Sequence, residues 1–280
     1  MGVLSGLGNL GLGNLENADV FAQEKQAAEA AKKAAQEPKK MTIEDFVFDK
    51  TYSCPVCYQD FANPTMKSNK TKLIGQDSDL RPKYDPVDPI KYDVVACPHC
   101  GYAAITRYFD KITPPQAKLV KAEISASFHG LKHELDYSYD DAVERYQLAL
   151  GNAIVKRAKS SEKAFICLKL AWVIRAKMEA LDIDIPDYDA QMQDLKKDEM
   201  ELLQNAMDGF INARQTEDFP MCGMDETTVD YIISVTATKF EKYDVASKLI
   251  AGILTDPKAN PRIKDKARDL KDSILQQKKQ

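Results

Sequence analysis

Small and bulky apolar residues recur at helical spacing in the second half of the chain. An Ala is followed four positions later by an aromatic or aliphatic residue, and seven positions later by another small or aliphatic one. The pattern occurs three times, at Ala142, Tyr146 and Ala149, at Ala206, Phe210 and Ala213, and at Ala246, Ile250 and Ile253. Positions i, i+4 and i+7 share one helix face, and small residues let neighbouring helices approach closely. The pattern therefore predicts three helices that bury this face.

A predicted helix precedes each of these three, which gives three antiparallel pairs. The preceding helices span residues 116–133, 161–180 and 226–239, and residues 261–277 form a final, charged capping helix. Such pairs resemble tetratricopeptide repeats, which stack into an array with a concave binding face. The first two Ala positions are 64 residues apart and the last two 40, whereas tetratricopeptide repeats recur about every 34 residues. Residues 181–191 contain Pro186 and several acidic side chains, and they predict a loop inserted in the longer interval.

The pattern changes before residue 114, where Pro, Asp, Tyr and short β-like runs replace the helical periodicity. Two such runs, at 91–96 and 102–106, flank a C-P-H-C turn, as expected of a zinc knuckle between two strands. We therefore expect an α+β fold that is mainly α. A small zinc-ribbon-like β domain at residues 42–113 is expected to precede a tetratricopeptide-like helical domain at residues 114–280.

The first 41 residues predict a leader and a spacer. The segment GLGNL occurs twice in succession, at residues 6–10 and 11–15, with a period that fits neither helix nor strand. Two interpretations remain open: a flexible leader, or a short segment whose Leu side chains dock on a partner or on the chain's own helical groove. Residues 22–37 are rich in Ala, Glu, Lys and Gln, which favours a solvated helical spacer ending at Pro38.

Composition and charge narrow the function classes. Hydrophobic residues make up 44% of the 280 residues, enough for a real core, and the formal net charge is -4. An acidic balance argues against a protein whose main task is to neutralise phosphate backbones. The amino terminus lacks the basic region of a signal peptide, and no run approaches the roughly 18–20 apolar residues that span a bilayer. We therefore expect a cytoplasmic protein without membrane anchoring.

Four of the six cysteines form two C-P-x-C pairs, Cys54 with Cys57 and Cys97 with Cys100. Cysteine pairs at this spacing are typical of thiolate metal sites in a reducing compartment. We predict one structural Zn²⁺ held by all four sulfurs, since four thiolates fill a tetrahedral ion. An electron-transfer iron and a thiol–disulfide couple are the alternatives for the same residues.

The two cysteine pairs differ in their turns and lie far apart in sequence. Gly101 follows the second pair and suits a backbone with positive φ, whereas Tyr58 follows the first. We therefore expect the first turn to depart from the ideal knuckle. The 39 residues between Cys57 and Cys97 predict an inserted hairpin or loop.

The remaining residues suggest no catalytic constellation. His129 and His133 are four apart on a predicted helix, the spacing of a metal-binding H-E-x-x-H pair, but Gly130 stands where that motif has its Glu. Two interpretations remain for these histidines: they bind a second metal ion, or they form an exposed pair on a repeat helix. Cys167 predicts a buried small hydrophobe, and Cys222, in the loop PMCGM, predicts a more exposed thiol. Phosphate-binding and nucleophile-elbow motifs are absent from the sequence, so we predict no enzymatic activity.

Basic and aromatic residues alternate with Asp between the cysteine pairs, a composition that can bind nucleic acid. These residues are Lys67, Lys70, Lys72, Arg81, Lys83, Lys91, Tyr84 and Tyr92, and the acidic ones are Asp77, Asp79, Asp85, Asp88 and Asp93. Because the charges nearly cancel, the segment favours a solvated, mixed-charge surface.

The runs YSCPVCYQDF and DSDLRPKYDPVDPIKYDVVACPHCGYAA together resemble an uncharacterised bacterial family known as a conserved domain of unknown function. The resemblance extends from about Tyr52 to the end of the chain. It implies a cytoplasmic bacterial protein with a zinc-ribbon-like start and a tetratricopeptide-like tail, and it implies no reaction. We expect a non-enzymatic adaptor that binds a protein or peptide in its helical groove. A zinc-ribbon nucleic-acid-associated regulator is the alternative, and a thiol-redox or iron electron-transfer protein is the third hypothesis.

Overall fold

The computed structural model describes residues 7–13, 19, 21–27 and 41–277, which fall in two units, Met1–Thr42 and Ile43–Gln280. In the first unit, Leu7–Leu10 forms a 3-10 turn and residues 22–27 are helical. Only part of the GLGNL repeat and of the predicted spacer falls within these ranges. The rest of both predictions lies outside the described residues.

Three two-stranded antiparallel sheets open the second unit. Their strands are β1 (Val47–Ser53) with β2 (Asp60–Met66), β3 (Lys72–Gln76) with β4 (Pro82–Asp85), and β5 (Val94–Ala96) with β6 (Ala103–Ile105). The β3–β4 hairpin is the insertion that the sequence predicts between the cysteine pairs. β5 and β6 are the strands predicted on either side of the second pair.

Seven α-helices follow within the described residues. They are α1 (Pro114–Val120), α2 (Tyr139–Val155), α3 (Ser160–Ala180), α4 (Tyr188–Thr216), α5 (Glu226–Lys239), α6 (Tyr243–Thr255) and α7 (Pro261–Gln277). Each packs against its neighbour in sequence, most extensively α3 with α4 and α5 with α6. α3, α5 and α7 match the predicted helices at 161–180, 226–239 and 261–277. The fold is mainly helical with small antiparallel sheets, as the sequence predicts.

The predicted helix at 116–133 is wrong beyond its first half. α1 ends at Val120, one π-helical turn continues to Ser125, and residues 128–134 have no regular structure. Gly130 has a φ of 101°, which an α-helix does not accommodate. The irregular backbone is held by other side chains instead: Arg145 donates to the carbonyl of Lys132, and Lys91 donates to that of Tyr137.

The predicted apolar face of each stripe helix is buried in the core. All nine stripe residues have exposures of 1% or less. The core also includes Val94 and Ile105 from β5 and β6, and the Tyr146 hydroxyl in α2 donates to the carbonyl of Ile90 at 3.2 Å. Residues on both sides of the predicted boundary at 113 thus contribute to a shared hydrophobic core. The predicted loop at 181–191 is shorter than expected, because α4 already begins at Tyr188.

Candidate metal centre

Two hairpin turns bring the four predicted cysteines together. Cys54 and Cys57 lie between β1 and β2, and Cys97 and Cys100 lie between β5 and β6. All four Sγ atoms lie within 4.8 Å of one another. The Sγ atoms of Cys54 and Cys100 are 3.6 Å apart, and those of Cys57 and Cys97 are 3.7 Å apart. Tetrahedral thiolate sites with metal–sulfur distances of about 2.3 Å place their sulfurs about 3.8 Å apart. The four sulfurs therefore fit one tetrahedral metal ion.

The two cysteine turns have the same backbone conformation. The amide of Tyr58 donates to the carbonyl of Cys54 at 2.9 Å, and the amide of Gly101 donates to that of Cys97 at 3.1 Å. Tyr58 has a φ of 64° and Gly101 a φ of 72°. The expectation that Tyr58 would make the first turn depart from the knuckle is wrong. Tyr58 adopts the left-handed conformation that glycine adopts in the second turn, at a strain of about 1–2 kcal/mol.

Aromatic and aliphatic side chains surround the sulfurs. Cys54, Cys97 and Cys100 are buried and Cys57 is half-buried. They share a hydrophobic cluster with residues of the two hairpins, of the turn after β6 and of α1, namely Val56, Phe61, Val95, Tyr102, Ala104, Phe109 and Val120. Such a shell limits the access of water to a bound ion and lowers the local dielectric.

Two helical residues donate hydrogen bonds to backbone carbonyls of the second cysteine turn. The Ser125 hydroxyl donates to the carbonyl of Cys100 at 2.8 Å, and Asn152 Nδ2 in α2 donates to the carbonyl of Gly101 at 2.8 Å. Asn152 is fully buried. The position of Cys100 therefore depends on packing between the β hairpins and the helices as well as on the local turn.

Electrostatics favour a cation among the four sulfurs. Hydrogen bonding with Cys100, and then with Cys97, lowers the pKa of the Cys54 thiol although burial acts in the opposite direction. Cys54 in turn raises the pKa of the Cys100 thiol, and Cys97 and burial add to that effect. Sulfurs this close cannot all become thiolates unless a positive charge lies among them. A bound metal ion would supply that charge and would join the two hairpins as a cross-link.

The predicted histidine pair does not form a site. His129 and His133 lie in the irregular segment after α1, so they do not share a helix face as expected. His133 Nε2 lies 3.1 Å from Asp49 Oδ2, and both side chains are about half exposed. Within residues 7–13, 19, 21–27 and 41–277, the four cysteines are the group of three or more metal-ligating side chains whose ligand atoms converge.

Both remaining cysteines are buried. Cys167 is a buried core residue, as predicted, and burial raises the pKa of its thiol to about 11. The expectation that Cys222 would be more exposed is wrong. Its Sγ donates to the carbonyl of Ser161 at 3.2 Å, and burial raises its pKa. Neither thiol has the lowered pKa of a reactive cysteine.

The sequence analysis missed a buried ion-pair network at the tip of the β3–β4 hairpin. Arg175 in α3 donates to Asp79 at 2.7 Å, to Asp77 at 3.1 Å and to Glu199 in α4 at 2.7 Å. The Asp79 side chain is 1% exposed, and it also accepts a hydrogen bond from the indole of Trp172 at 3.1 Å. The alternation of Asp and Arg in the hairpin indicated ion pairing, but the residues that complete the ion pairs lie about 100 residues away in sequence.

This network also uses basic residues that the sequence analysis placed on a solvated surface. The Arg81 side chain is 3% exposed and pairs with Asp77 at 2.8 Å and with Glu179 at 2.5 Å. Lys83 pairs with the same two carboxylates, at 3.2 Å and 3.1 Å. These ion pairs therefore join the hairpin tip to α3, and the positive charges of Arg81 and Lys83 are neutralised by the carboxylates of the network.

Among the helices that the structure describes, none combines the length and the apolar character needed to cross a membrane.

Comparisons place the chain among bacterial proteins. No curated protein and no solved structure matches the chain. The sequence model of the family described as "Uncharacterized protein conserved in bacteria (DUF2225)" matches residues 47–274, which is most of the chain. The protein therefore belongs to this bacterial family.

Proposed function

We propose that the protein is a non-enzymatic adaptor in which a structural zinc ion holds the β hairpins and the helices bind a peptide segment of a partner. Four protein sulfurs around one ion leave no coordination position for a substrate, which favours a structural role. Two cysteine turns of the same conformation, each between antiparallel strands, support the proposal of a zinc-ribbon-like domain.

The helical pairs support a tetratricopeptide-like array. α3 with α4 and α5 with α6 are pairs of neighbouring helices in extensive contact, and α4 and α6 bury the alanines of the predicted stripes. At Gly209 in α4, an added Cβ would lie 2.9 Å from Cβ of Ala164 in α3, so these helices are in close contact. Stacked pairs of this kind leave one set of helix faces open as a groove.

The observation that carries the proposal is a groove of about 440 Å³ between α2, α3 and α4. Ile154, which is 60% exposed, and Leu150 provide an apolar wall. The polar lining residues come from α3 and α4 and are Ser160, Lys163, Asn205, Asp208 and Asn212. A groove that combines an exposed aliphatic side chain with amides and charges of both signs suits a peptide better than a single small polar ligand.

Two amides on α4 have the spacing that a peptide backbone requires. Asn205 and Asn212 are seven residues apart and hence on one face, about 10 Å apart along the helix axis. This separation corresponds to about three residues of an extended chain. Each carboxamide can both donate and accept: Asn212 Nδ2 already donates to the Ser160 hydroxyl at 3.2 Å, which leaves its second N–H and its oxygen. The pair can therefore bind the backbone of an extended segment while Ile154 contacts an apolar side chain.

The peptide-binding proposal is tested with a phage-displayed peptide library selected on the metal-loaded protein. The affinity of a selected peptide is then measured by calorimetry for wild type, for Asn205→Ala/Asn212→Ala, and for Gln193→Ala/Gln215→Ala, a control with exposed amides elsewhere on α4. Loss of two side-chain hydrogen bonds is expected to weaken binding about 10- to 30-fold in the first variant only. If the selected peptide binds both double variants with equal affinity, the proposal that this groove binds the peptide is refuted.

The zinc proposal is tested by elemental analysis of protein purified without added metal. We expect about one zinc per chain in wild type, and a loss of both zinc and the folded hairpins in Cys97→Ser/Cys100→Ser. Cys167→Ala is the control, since that cysteine is buried away from the site, and it should retain the zinc. Iron with a visible thiolate absorption, or a titratable disulfide without metal, would instead support an electron-transfer or thiol-exchange role.

A further inference from the structure

A second cavity, of about 340 Å³, lies between the β strands and α3, away from the four sulfurs and from the peptide groove. Tyr84 from β4, Tyr92 from the turn after it and Trp172 from α3 provide aromatic walls. Its charged lining residues are Asp88, Asp93 and Lys169. The volume is within the usual range for small-ligand pockets, roughly 300–1,000 Å³.

Asp88 is a carboxylate without a cationic partner of its own. Its Oδ1 accepts a hydrogen bond from the amide of Ile90 at 3.1 Å, and the described part of the chain gives it no other hydrogen bond. The nearby cations have other partners: Arg81 pairs with Glu179, and Lys91 donates to the carbonyl of Tyr137. Burial raises the pKa of Asp88, although the charges of Arg81 and Lys91 act to lower it, as expected of a carboxylate that has lost water and has no direct ion pair.

The other charges of the cavity neutralise each other. Lys169 donates to Asp93, and its ammonium group also lies 5.1 Å from the ring centre of Phe165. Lys169 is therefore held at one side and does not pair with Asp88. The lining thus keeps one net negative charge, that of Asp88, beside aromatic rings.

Two of the three aromatic side chains are held in place by hydrogen bonds to residues outside the cavity lining. The indole nitrogen of Trp172 donates to Asp79 at 3.1 Å, and the Tyr92 hydroxyl accepts from the amide of Tyr137 at 3.2 Å. Tyr92 also stacks on the Tyr137 ring at 5.1 Å between ring centres. Fixed aromatic rings beside a desolvated carboxylate form the usual environment for an alkylated cation, which gains from both the charge and the rings.

We propose that this cavity binds the ammonium or guanidinium group of an organic cation, with Asp88 as its counter-ion and Trp172 and the two tyrosines as its walls. The site does not depend on the peptide groove. A small amine and the end of a basic side chain share the chemistry that the cavity recognises.

Trp172, the chain's single tryptophan, reports directly on this cavity. Its fluorescence is followed on metal-loaded, full-length protein during titration with methylguanidinium or tetramethylammonium chloride, at constant ionic strength. N-methylurea is the neutral match for methylguanidinium. We expect a saturable change with a Kd on the order of 1 mM for the cations, as ligands of about five heavy atoms allow. N-methylurea is expected to give no saturable change in the fluorescence. A flat response to the cations, or the same response to the neutral probe, overturns the proposal.

Three variants extend the test. Asp88→Asn keeps the acceptor for the Ile90 amide and is expected to weaken cation binding at least tenfold, whereas Asp85→Asn, at an exposed neighbouring position, should change it less than twofold. Lys169→Gln leaves Asp93 without its cation, so several-fold tighter binding is expected. This opposite direction keeps the proposal testable if Asp88→Asn does not fold. Unchanged affinity in Asp88→Asn or weaker binding in Lys169→Gln would contradict it.

Discussion

Replacing Gly101 by Ala tests how the second cysteine turn is packed. Gly101 has a φ of 72°, and an added Cβ would lie 2.6 Å from Cγ of Phe128, 2.7 Å from its Cδ2 and 3.1 Å from Cγ2 of Ile124. The closest atom is at the root of the Phe128 ring, so the side chain must rotate or the turn must move. Movement of the turn would disturb the carbonyl that accepts from Asn152.

The expected loss for Gly101→Ala has two parts. A non-glycine residue in the left-handed region is destabilised by about 1–2 kcal/mol. Forcing a methyl group into a packed site adds about 1–3 kcal/mol. We therefore expect the free energy of unfolding to fall by about 2–5 kcal/mol, a large part of the roughly 5–15 kcal/mol that is typical of folded proteins.

Urea unfolding at fixed metal concentration measures this loss. Gly151→Ala is the matched control: Gly151 lies inside α2 with nothing within 4 Å of an added Cβ, so it should gain about 0.5–1 kcal/mol. In a Phe128→Ala background the two closest contacts are removed and that with Ile124 Cγ2 at 3.1 Å remains, so the effect of Gly101→Ala should shrink toward the backbone strain of about 1–2 kcal/mol. A loss below about 1 kcal/mol in the wild-type background would refute the reasoning, because it is smaller than the strain alone.

Three further predictions concern the buried polar contacts. Asn152→Ala leaves the buried carbonyl of Gly101 without its donor, so we expect a loss of about 1–3 kcal/mol in urea unfolding and faster metal release to a chelator; unchanged release would contradict the link between α2 and the cysteine turn. Arg175→Met leaves Asp79 buried without its cation and should destabilise by about 3–5 kcal/mol. The exposed-pair control Lys177→Met should change the free energy of unfolding by less than about 1 kcal/mol. Burial acts to raise the pKa of Asp79, but Arg175 holds it below its usual value. A depressed folded-state pKa contributes stability that is present above about pH 4 and is lost as the pH falls through the folded value. We therefore expect the free energy of unfolding to decrease on acidification below about pH 4. An increase in this free energy below about pH 4 would contradict the lowered pKa of Asp79.

Local spacing accounts for most of what could be predicted. The C-P-x-C pairs identified Cys54, Cys57, Cys97 and Cys100 because two cysteines three residues apart come together in almost any tight turn. The apolar stripes identified the buried helix faces because the i, i+4 and i+7 positions are related by the helix itself. Where the prediction depended on a helix continuing, as at His129 and His133, it was wrong, since contacts to distant residues favoured an irregular segment.

The sequence by itself determined the helical periodicity, the two cysteine pairs and the family, all of which depend on residues close together in the chain or on their order along it. Only the tertiary structure decided how close the four predicted sulfurs come to one another, that Arg175 reaches Asp79 and that Asp88 faces an aromatic cavity. These features join residues 40 to 100 positions apart, as in the pairs Cys57–Cys97 and Arg175–Asp77. Their position depends on how whole helices and hairpins pack, and a charged residue has the same local pattern whether it is paired in the interior or solvated at the surface.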